Sequence, residues 1–477
     1  MQNSHRQITN YWGIIIILVL TPVLLWASIP ILPTFDDWTS LTSPSFEPLF
    51  TKENFLFFGY HWRPFDAIIG YLLGLNPQLL FPTLNHWLVV LGHLACSIVL
   101  FRLLTIIGCK PISKNIATLF FFITPATMAT VLAVDSMNQV YALMWGMVAF
   151  LIYVKQNKWK YPVWIILIFI ATLCKENGLM WALICPILAF GFYFIDRRIL
   201  KRDLLLGIGI MMMYALVILL LPKDIEIHPD YIPDELKVVK SIMKFLLTSF
   251  ITVDYVWLLY QPSRHLLLAA LTVLLSLPFM YCIYIRHWQQ FKERKMMSII
   301  VCLFIAIAPH VITSYSMMHT YAGLPMIALI IAVSIDAYGR HTKSVVVSGL
   351  LLLVSIVCID IHLWHESLES GLIGKRLALK TVRKTGNPVK SVYLINIEEN
   401  YSKLSSFCVI PYEAFGWGLG VKYETNYQWP ESIKDTLIER TSDSREKARL
   451  LGLDMIKNNK YDCVWIVDHQ NIDVIKK

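Results

Sequence analysis

The chain has 477 residues, of which 56% are hydrophobic and 16% charged, and its formal net charge is +9. About a quarter of the residues of a soluble globular domain are charged, so this composition excludes an ordinary soluble protein and indicates one that uses lipid as its solvent. The basic residues fall in short loops, which excludes the concentrated basic surface of a nucleic-acid-binding protein.

Eleven apolar runs recur along the first three quarters of the chain, most of them close to the length of a bilayer-spanning helix. They predict an α-helical polytopic membrane protein with about 11 transmembrane helices. The first run lacks the small-residue cleavage site of a secretory signal, so we interpret it as a retained helix. The runs are Tyr11–Leu32, Leu79–Ile107, Ile116–Val134, Val140–Val154, Tyr161–Leu173, Gly178–Ile195, Leu204–Leu221, Leu266–Ile285, Met297–Tyr315, Tyr321–Ile335 and Val345–Ile361.

Basic residues follow every even-numbered run, in loops that begin near Lys110, Lys155, Arg197, Arg286 and Arg340. Because loops rich in Lys and Arg stay in the cytoplasm, the pattern predicts a multi-pass protein of the cytoplasmic (inner) membrane with a cytoplasmic N-terminus. The odd-numbered exits and the C-terminal tail are then extracytoplasmic.

The polar segments divide the chain into a membrane module, residues 1–364, and a tail, residues 365–477. The module carries two long outer loops, residues 33–78 and 222–264. Each loop includes a stretch that predicts a helix in the membrane interface, one after Pro64 and one within residues 237–259.

The tail alternates apolar and polar residues in short segments, which predicts a small extracytoplasmic α/β domain. Strands are expected at Ser391–Ile397, Phe407–Ile410 and Tyr461–Val467, and a helix at Ser432–Lys457.

Ionisable groups at a membrane surface are costly and need a reason. The predicted topology gathers such residues from distant parts of the sequence at the outer face, which is how a single cleft would be lined. They are Asp36, Asp37, His61, Arg63, Asp135, Lys175, Glu176, His310, His319 and Tyr321.

These residue types fit the transfer of a group from an anionic lipid. A carboxylate, Asp36 or Asp37, can take the proton from an acceptor hydroxyl as it attacks. Lys175, Arg63 and His319 can hold a phosphate and neutralise its charge as it leaves. An ion pair that closes a short loop explains Lys175 and Glu176 equally well, and ordinary loop polarity explains the acid pair taken alone.

The nine cysteines are scattered without a CxxC motif, and no tight cluster of metal ligands is visible. The sequence therefore predicts no metal or cofactor, and a divalent cation is not indicated.

Four motifs occur in an order that resembles the GT-C superfamily of integral-membrane glycosyltransferases, which use polyprenyl-phosphate sugars. The layout is similar to that of protein O-mannosyltransferases, including those with TPR repeats, and of bacterial sugar transferases of lipid A and cell-wall glycans. The resemblance covers roughly the first 340 residues. The motifs are Phe35-Asp36-Asp37-Trp38, Tyr60-His61-Trp62-Arg63-Pro64-Phe65, Leu173-Cys174-Lys175-Glu176-Asn177-Gly178-Leu179 and Tyr321-Ala322-Gly323-Leu324-Pro325.

The resemblance implies that Asp36 or Asp37 is the general base, with family habit favouring the first. It also implies that Arg63 and Lys175 contact the phosphate of the donor, and that the acceptor is a glycan, a lipid or a protein. The chain departs from the pattern at Thr130, where the TPR-carrying enzymes keep Glu, and at Thr320 and Gly323, where an Arg and a Tyr are usual. These departures leave the donor sugar and the acceptor open.

Two other functions fit the apolar runs. A polymerase or ligase of O-antigen and related polysaccharides has about a dozen spans and a large outer loop, but its chemistry relies on Arg and His rather than on an acid pair after the first span. A transporter should carry charges near mid-span and repeat symmetry between its halves, whereas the charges here gather at one face.

Overall fold

The structure is a computed structural model. It describes residues 11–34, 37–38, 68, 72, 80, 82–155, 157–220, 235–251, 262–285, 288–312, 316–337, 342–398, 414–426 and 428–477.

The chain divides into two compact units. The first is drawn from residues 1–28, 45–69 and 84–361, and the second from residues 29–44, 70–83 and 362–477. The boundary after Ile361 lies close to the one that the sequence predicts after residue 364. The start of the first outer loop belongs to the same unit as the tail, which the sequence does not indicate.

The first unit is helical, and every predicted apolar run overlaps at least one of its helices. In chain order they are α1 (Trp12–Ser28), α2 (Thr83–Ile106), α3 (Pro111–Ile123), α4 (Pro125–Val131), α5 (Met137–Tyr153), α6 (Lys160–Cys174), α7 (Trp181–Gly191), α8 (Arg197–Leu220), α9 (Glu235–Leu246), α10 (Pro262–Met280), α11 (Arg294–Ile312), α12 (Leu324–Ala337) and α13 (Thr342–Thr385), of which α13 continues into the second unit.

Within the described residues, four helices are long and apolar enough to cross a membrane: Thr83–Ile106, Arg197–Leu220, Arg294–Val311 and Lys343–Thr385. Seven further apolar helices have 10–17 residues. The chain therefore has the helical and apolar character of a membrane protein, and the number of eleven spans stays a prediction.

Proline explains the largest local difference from the predicted runs. The run Ile116–Val134 is divided into α3 and α4 at Thr124, whose backbone is extended with a ψ of 136°. The ring of the following Pro125 disfavours a helical conformation in the residue before it. Pro125 then begins α4, because a proline is well suited to the first turn of a helix.

Polar contacts tie several helices together at one end of the first unit, which we call the basic end (Lys110, Asp203 and Arg294). The backbone N–H of Lys110, between α2 and α3, donates to the carboxylate of Asp336 at the end of α12. The Tyr153 hydroxyl at the end of α5 donates to Asp203 in α8. Arg294, the first residue of α11, donates to a backbone carbonyl near the end of α7. Loops that the sequence predicts to be cytoplasmic thus meet at one end.

The helix α9 lies in the region where the second outer loop predicts an interfacial helix. Leu236, Val239 and Met243 are exposed along one side, while Phe245 is buried on another. An exposed apolar stripe on a short helix fits the membrane interface. Of the interfacial helix predicted after Pro64, only Ile68 and Leu72 are among the described residues, and both are exposed.

The second unit contains a four-stranded sheet made of β1 (Ser391–Glu398), β2 (Ser432–Glu439), β3 (Cys463–Asp468) and β4 (Asn471–Lys476). Their order in the sheet is β2-β1-β3-β4. The strand β1 is parallel to both β2 and β3, and β3 is antiparallel to β4. One face of the sheet packs on α13, and the other packs on α15. The helices α14 (Leu419–Glu424) and α15 (Ser444–Lys457) also follow α13.

The expected helix at Ser432–Lys457 is correct only from Ser444 onward. Residues Ser432–Glu439 form β2, which pairs in register with the whole of β1. Ile433, Leu437 and Ile438 suit a strand at the edge of a sheet, and pairing with the apolar β1 overrides a helical tendency of the segment. The strands expected at Ser391–Ile397 and Tyr461–Val467 are confirmed as β1 and β3, and the one at Phe407–Ile410 lies outside the described residues.

An ion pair at the end of β3 makes the second unit sensitive to acid. Asp468 is buried and contacts both Arg440 and Arg445. Burial alone raises the pKa of a carboxyl group, but hydrogen bonds from the two guanidinium groups outweigh it and hold the pKa of Asp468 below its usual value.

Because the pKa is lower in the folded state, this carboxylate stabilises the fold above the ordinary aspartate value of about 4 and loses its contribution as the pH falls below it. We expect β3 amides in the full chain to lose protection from hydrogen exchange, corrected for intrinsic rates, between pH 7 and pH ~3. Asp468→Asn should show low protection already at pH 7 and a smaller pH dependence. An equal pH dependence in the two proteins would contradict the assignment to Asp468.

Candidate functional site

Three turns from distant parts of the sequence meet at the end of the first unit opposite to the basic end. The helices α5 to α7 reverse direction in turn, as do α11 and α12, so residues 132–136, 175–180 and 316–322 come together there. We call this region the Lys175 end, defined by Lys175, Gln139 and Met318. The sequence predicts this convergence for Asp135, Lys175, Glu176, His310 and His319.

Lys175 ends α6 in an extended conformation, with a φ of −158° and a ψ of 145°. Its side chain is only 8% exposed. One orientation of the Gln139 amide gives both of its polar atoms a hydrogen-bond partner. In this orientation the oxygen accepts from Lys175 Nζ at 3.1 Å and the nitrogen donates to the Met318 carbonyl at 3.1 Å. One glutamine thus links the start of α5 to the other two turns, through the Lys175 ammonium group and the Met318 carbonyl.

Close backbone packing explains the glycine of the Lys-Glu-Asn-Gly motif. A Cβ atom on Gly178 would lie 2.3 Å from the carbonyl carbon of Ala171 in α6. The Gly178 N–H also donates to the Lys175 carbonyl at 2.9 Å. A larger residue would push the turn away from α6 and move Lys175 with it.

Two histidines stack beside this turn. The rings of His310 and His319 are nearly parallel, with centroids 4.3 Å apart. The Asn177 amide nitrogen lies 3.4 Å from His310 Nε2, and the Ser316 backbone N–H donates to His319 Nδ1 at 3.1 Å. Since His319 Nδ1 accepts this bond, its neutral ring carries the proton on Nε2, where it can donate to an anion.

Unused hydrogen-bond acceptors lie near the same turns. The side-chain oxygens of Asn85 and Asn177 are buried without a hydrogen-bond partner among the residues that the structure describes. Asn85 reaches this region through its nitrogen, 3.5 Å from the Val134 carbonyl. A small cleft beside Asn177 is also lined by Trp181 and Ala322. Buried acceptors of this kind are normally satisfied by water or by a ligand that brings N–H or O–H donors.

The other predicted residues of the first unit differ in burial and in their contacts. Asp135 is half-buried in its turn and accepts from the Ser136 hydroxyl at 3.3 Å, and Glu176 is half-buried beside Lys175. Tyr321 is fully buried, and its hydroxyl lies 2.8 Å from His93 Nδ1. Because His93 Nε2 pairs with the Phe122 carbonyl at 3.0 Å, the tyrosine hydroxyl donates to Nδ1. Tyr321 therefore packs in the core between helices.

Asp37 belongs to the second unit. Asp37 is 5% exposed, and its Oδ2 accepts from the Thr34 backbone N–H at 3.0 Å. Its own N–H donates to the Thr34 carbonyl, also at 3.0 Å. Asp37 therefore closes a tight turn with its side chain. Asp36, His61 and Arg63 lie outside the described residues.

Among the described residues, no group of three or more His, Cys, Asp or Glu side chains is arranged to hold a metal ion. The Lys175 end carries donors, an ammonium group and an imidazole N–H, beside the carboxyl groups of Asp135 and Glu176. Donors of this kind suit a phosphate.

Sequence reasoning missed Gln139, Asn177 and Asn85. The polar run from Asp135 to Gln139, between two apolar stretches, is a signal for the first. Asn177 lies inside the motif that contains Lys175, so its position in the motif is a signal for it. No sequence pattern distinguishes Asn85.

Comparison of the chain with protein-family models and with curated proteins finds no match.

Proposed function

We propose that the protein is an integral-membrane glycosyltransferase. It moves a sugar from a polyprenyl-phosphate-linked donor to a glycan, lipid or protein acceptor. The observation that carries the proposal is the convergence of three distant turns on the buried Lys175, at the end of the helical unit opposite to the basic loops. The resemblance of the four sequence motifs to GT-C enzymes supports the same reaction.

In this proposal the Lys175 end binds the donor phosphate. The ammonium group of Lys175 is held by Gln139, and His319 presents an N–H donor. Donors fixed in advance stabilise the negative charge that builds on a leaving phosphate. Arg63 is assigned to the same phosphate from its motif alone.

The chemistry is a displacement at the anomeric carbon of the sugar. A carboxylate removes the proton of an acceptor hydroxyl, the hydroxyl oxygen bonds to the anomeric carbon, and the bond from that carbon to the phosphate oxygen breaks. The polyprenyl phosphate leaves with the electron pair of that bond. The carboxylate takes up the proton of the acceptor hydroxyl and later releases it to water.

We assign the role of base to Asp36. The carboxylate of Asp37 already accepts a backbone hydrogen bond that shapes its turn. Asp36 is the neighbouring acid and is the one that the family resemblance favours.

We further propose that the Lys175 end faces the extracytoplasmic side of the cytoplasmic membrane, with eleven spans and the tail outside. Alkaline phosphatase fused after Lys477 should be active, and the same fusion in the loop that contains Lys158 should be inactive. The reverse result would place the Lys175 end in the cytoplasm and remove this topology.

A direct assay tests the reaction. The full chain in proteoliposomes is given undecaprenyl-phosphate-linked mannose, glucose or aminoarabinose, with bacterial envelope extract as acceptor. Release of undecaprenyl phosphate is expected with at least one donor, and Asp36→Asn should abolish it. If every donor stays intact in the wild-type reaction, this donor class is excluded.

A further inference from the structure

The segment that leads to the acid pair is built into the second unit at two points, one on each side of the aspartates. Before the pair, Leu32 packs against Gly371 of α13, where a Cβ atom would lie 2.8 Å from Leu32 Cβ and 2.9 Å from its carbonyl oxygen. After the pair, Trp38 is only 4% exposed.

Trp38 makes three kinds of contact with one loop of the tail. Its indole N–H donates to the Ala414 carbonyl at 3.2 Å, and its ring lies edge-on to Tyr423 with centroids 5.6 Å apart. A Cβ atom on Gly416 would lie 2.1 Å from Trp38 Cδ1. The indole thus fits a space that only glycine leaves open.

The backbone of this loop has an unusual shape. Gly416, Trp417 and Gly418 all have positive φ, at 62°, 50° and 90°. A left-handed conformation is unfavourable for a residue such as tryptophan, so the surrounding contacts must hold it. The Leu419 N–H donates to the Gly416 carbonyl at 2.8 Å and closes the loop around Trp38.

The α13 helix supports both contact points. Gly374 lies one turn after Gly371, and a Cβ atom there would lie 2.1 Å from the Ala414 carbonyl oxygen. Two glycines on one side of α13 therefore let the Leu32 segment and the Ala414 loop approach the helix closely. The turn formed by Thr34 and Asp37 lies between these anchors in the sequence.

We infer that the tail is a clamp for the acidic turn, with Trp38 as the positioning residue that holds the turn closed by Thr34 and Asp37, next in sequence to the proposed base. This rests on the proposed function, in which Asp36 is the base. Trp38 does not touch the substrate in this account. A displacement of about 1 Å at a reacting group can cost on the order of 10²-fold in rate, so the loss of either anchor should slow catalysis.

The test compares Trp38→Ala and Gly416→Ala with Trp38→Phe and Gly386→Ala. Gly386 is the matched control, because its φ is +70° and the nearest atom to a Cβ there is the flexible Lys476 Nζ at 3.7 Å. Trp38→Ala and Gly416→Ala should lower kcat at least ~10-fold and leave the KM for donor unchanged, while Trp38→Phe keeps most activity. Gly386→Ala should match the wild type.

Hydrogen exchange of residues 29–38 in the full chain tests the clamp without a measurement of activity. Exchange should be faster in Trp38→Ala and Gly416→Ala than in wild type and Gly386→Ala, because the Thr34 and Asp37 amides lose their fixed bonds. Unchanged exchange overturns the clamp. Faster exchange with unchanged kcat, or with a changed donor KM alone, overturns the positioning role. A wild-type protein that transfers no sugar refutes the proposed function, while the exchange data still decide whether the clamp exists.

Discussion

Replacing Asp36 with asparagine is expected to lower kcat for sugar transfer about 10³-fold, within the range that a positioned general base contributes. Asparagine keeps the size of the side chain but cannot accept the proton of the acceptor hydroxyl. Binding of the donor should persist, because the phosphate contacts are assigned to other residues. Initial rates in proteoliposomes at saturating donor measure this effect.

Asp37→Asn is the matched control for Asp36→Asn. The asparagine oxygen can still accept the hydrogen bond from the Thr34 N–H, so the turn is kept. We expect Asp37→Asn to stay within about tenfold of wild type, because only a modest part of one hydrogen bond is lost. A large loss in Asp37→Asn together with a nearly active Asp36→Asn would reverse the assignment of the base.

Replacing Lys175 with methionine is expected to lower kcat/KM for the donor about 10²- to 10³-fold, as the removal of one preorganised donor to a developing anion does in other enzymes. Methionine has a similar length but no charge and no N–H groups. The apparent KM for donor should also rise, because in the proposed function the ammonium group binds the phosphate before and during the reaction.

Lys158→Met is the control for charge alone, since Lys158 is exposed in a loop at the basic end. It should leave the kinetics unchanged. Lys175→Arg should recover part of the activity if the positive charge is what matters, although the planar guanidinium fits the Gln139 oxygen differently. Normal kinetics in Lys175→Met would remove the phosphate role from Lys175.

Helix positions were readable from the sequence because apolar runs and proline both act locally. Each predicted run overlaps a helix. The break between α3 and α4 falls inside one predicted run and was missed, although Pro125 is a local signal for it. Helix lengths were less readable, since seven apolar helices have 10–17 residues. Turn geometry, not hydropathy, decides where these helices stop.

The convergence at the Lys175 end was predictable for a topological reason. Consecutive helices of a bundle reverse direction, so the turns at every second exit meet at one end. The bridging role of Gln139 was not predictable, because it depends on side-chain orientation across three turns. The topology did not predict side-chain orientation either. Tyr321 lies at the expected end of the bundle, but its side chain packs in the core, where its hydroxyl bonds to His93.

The packing of the acidic turn against the tail could not be predicted from the sequence either. Trp38 and Ala414 are 376 positions apart, and no periodic pattern links residues at that distance. The positive φ of Gly416 and its neighbours becomes meaningful only when the indole lies beside them. The strand β2 was missed for a similar reason, because its pairing with β1 is a tertiary contact.

The most direct measurement asks whether one lipid-linked sugar phosphate reaches both groups of residues that the account assigns to it. A diazirine analogue of undecaprenyl-phosphate mannose, with the photoreactive group on the sugar, is bound to the full chain in proteoliposomes, irradiated and mapped by peptide mass spectrometry. We predict labelled peptides from residues 29–38 and from residues 172–180, with competition by unlabelled undecaprenyl phosphate. Competed labelling confined to the loops at the basic end, with none in these two segments, would contradict the account.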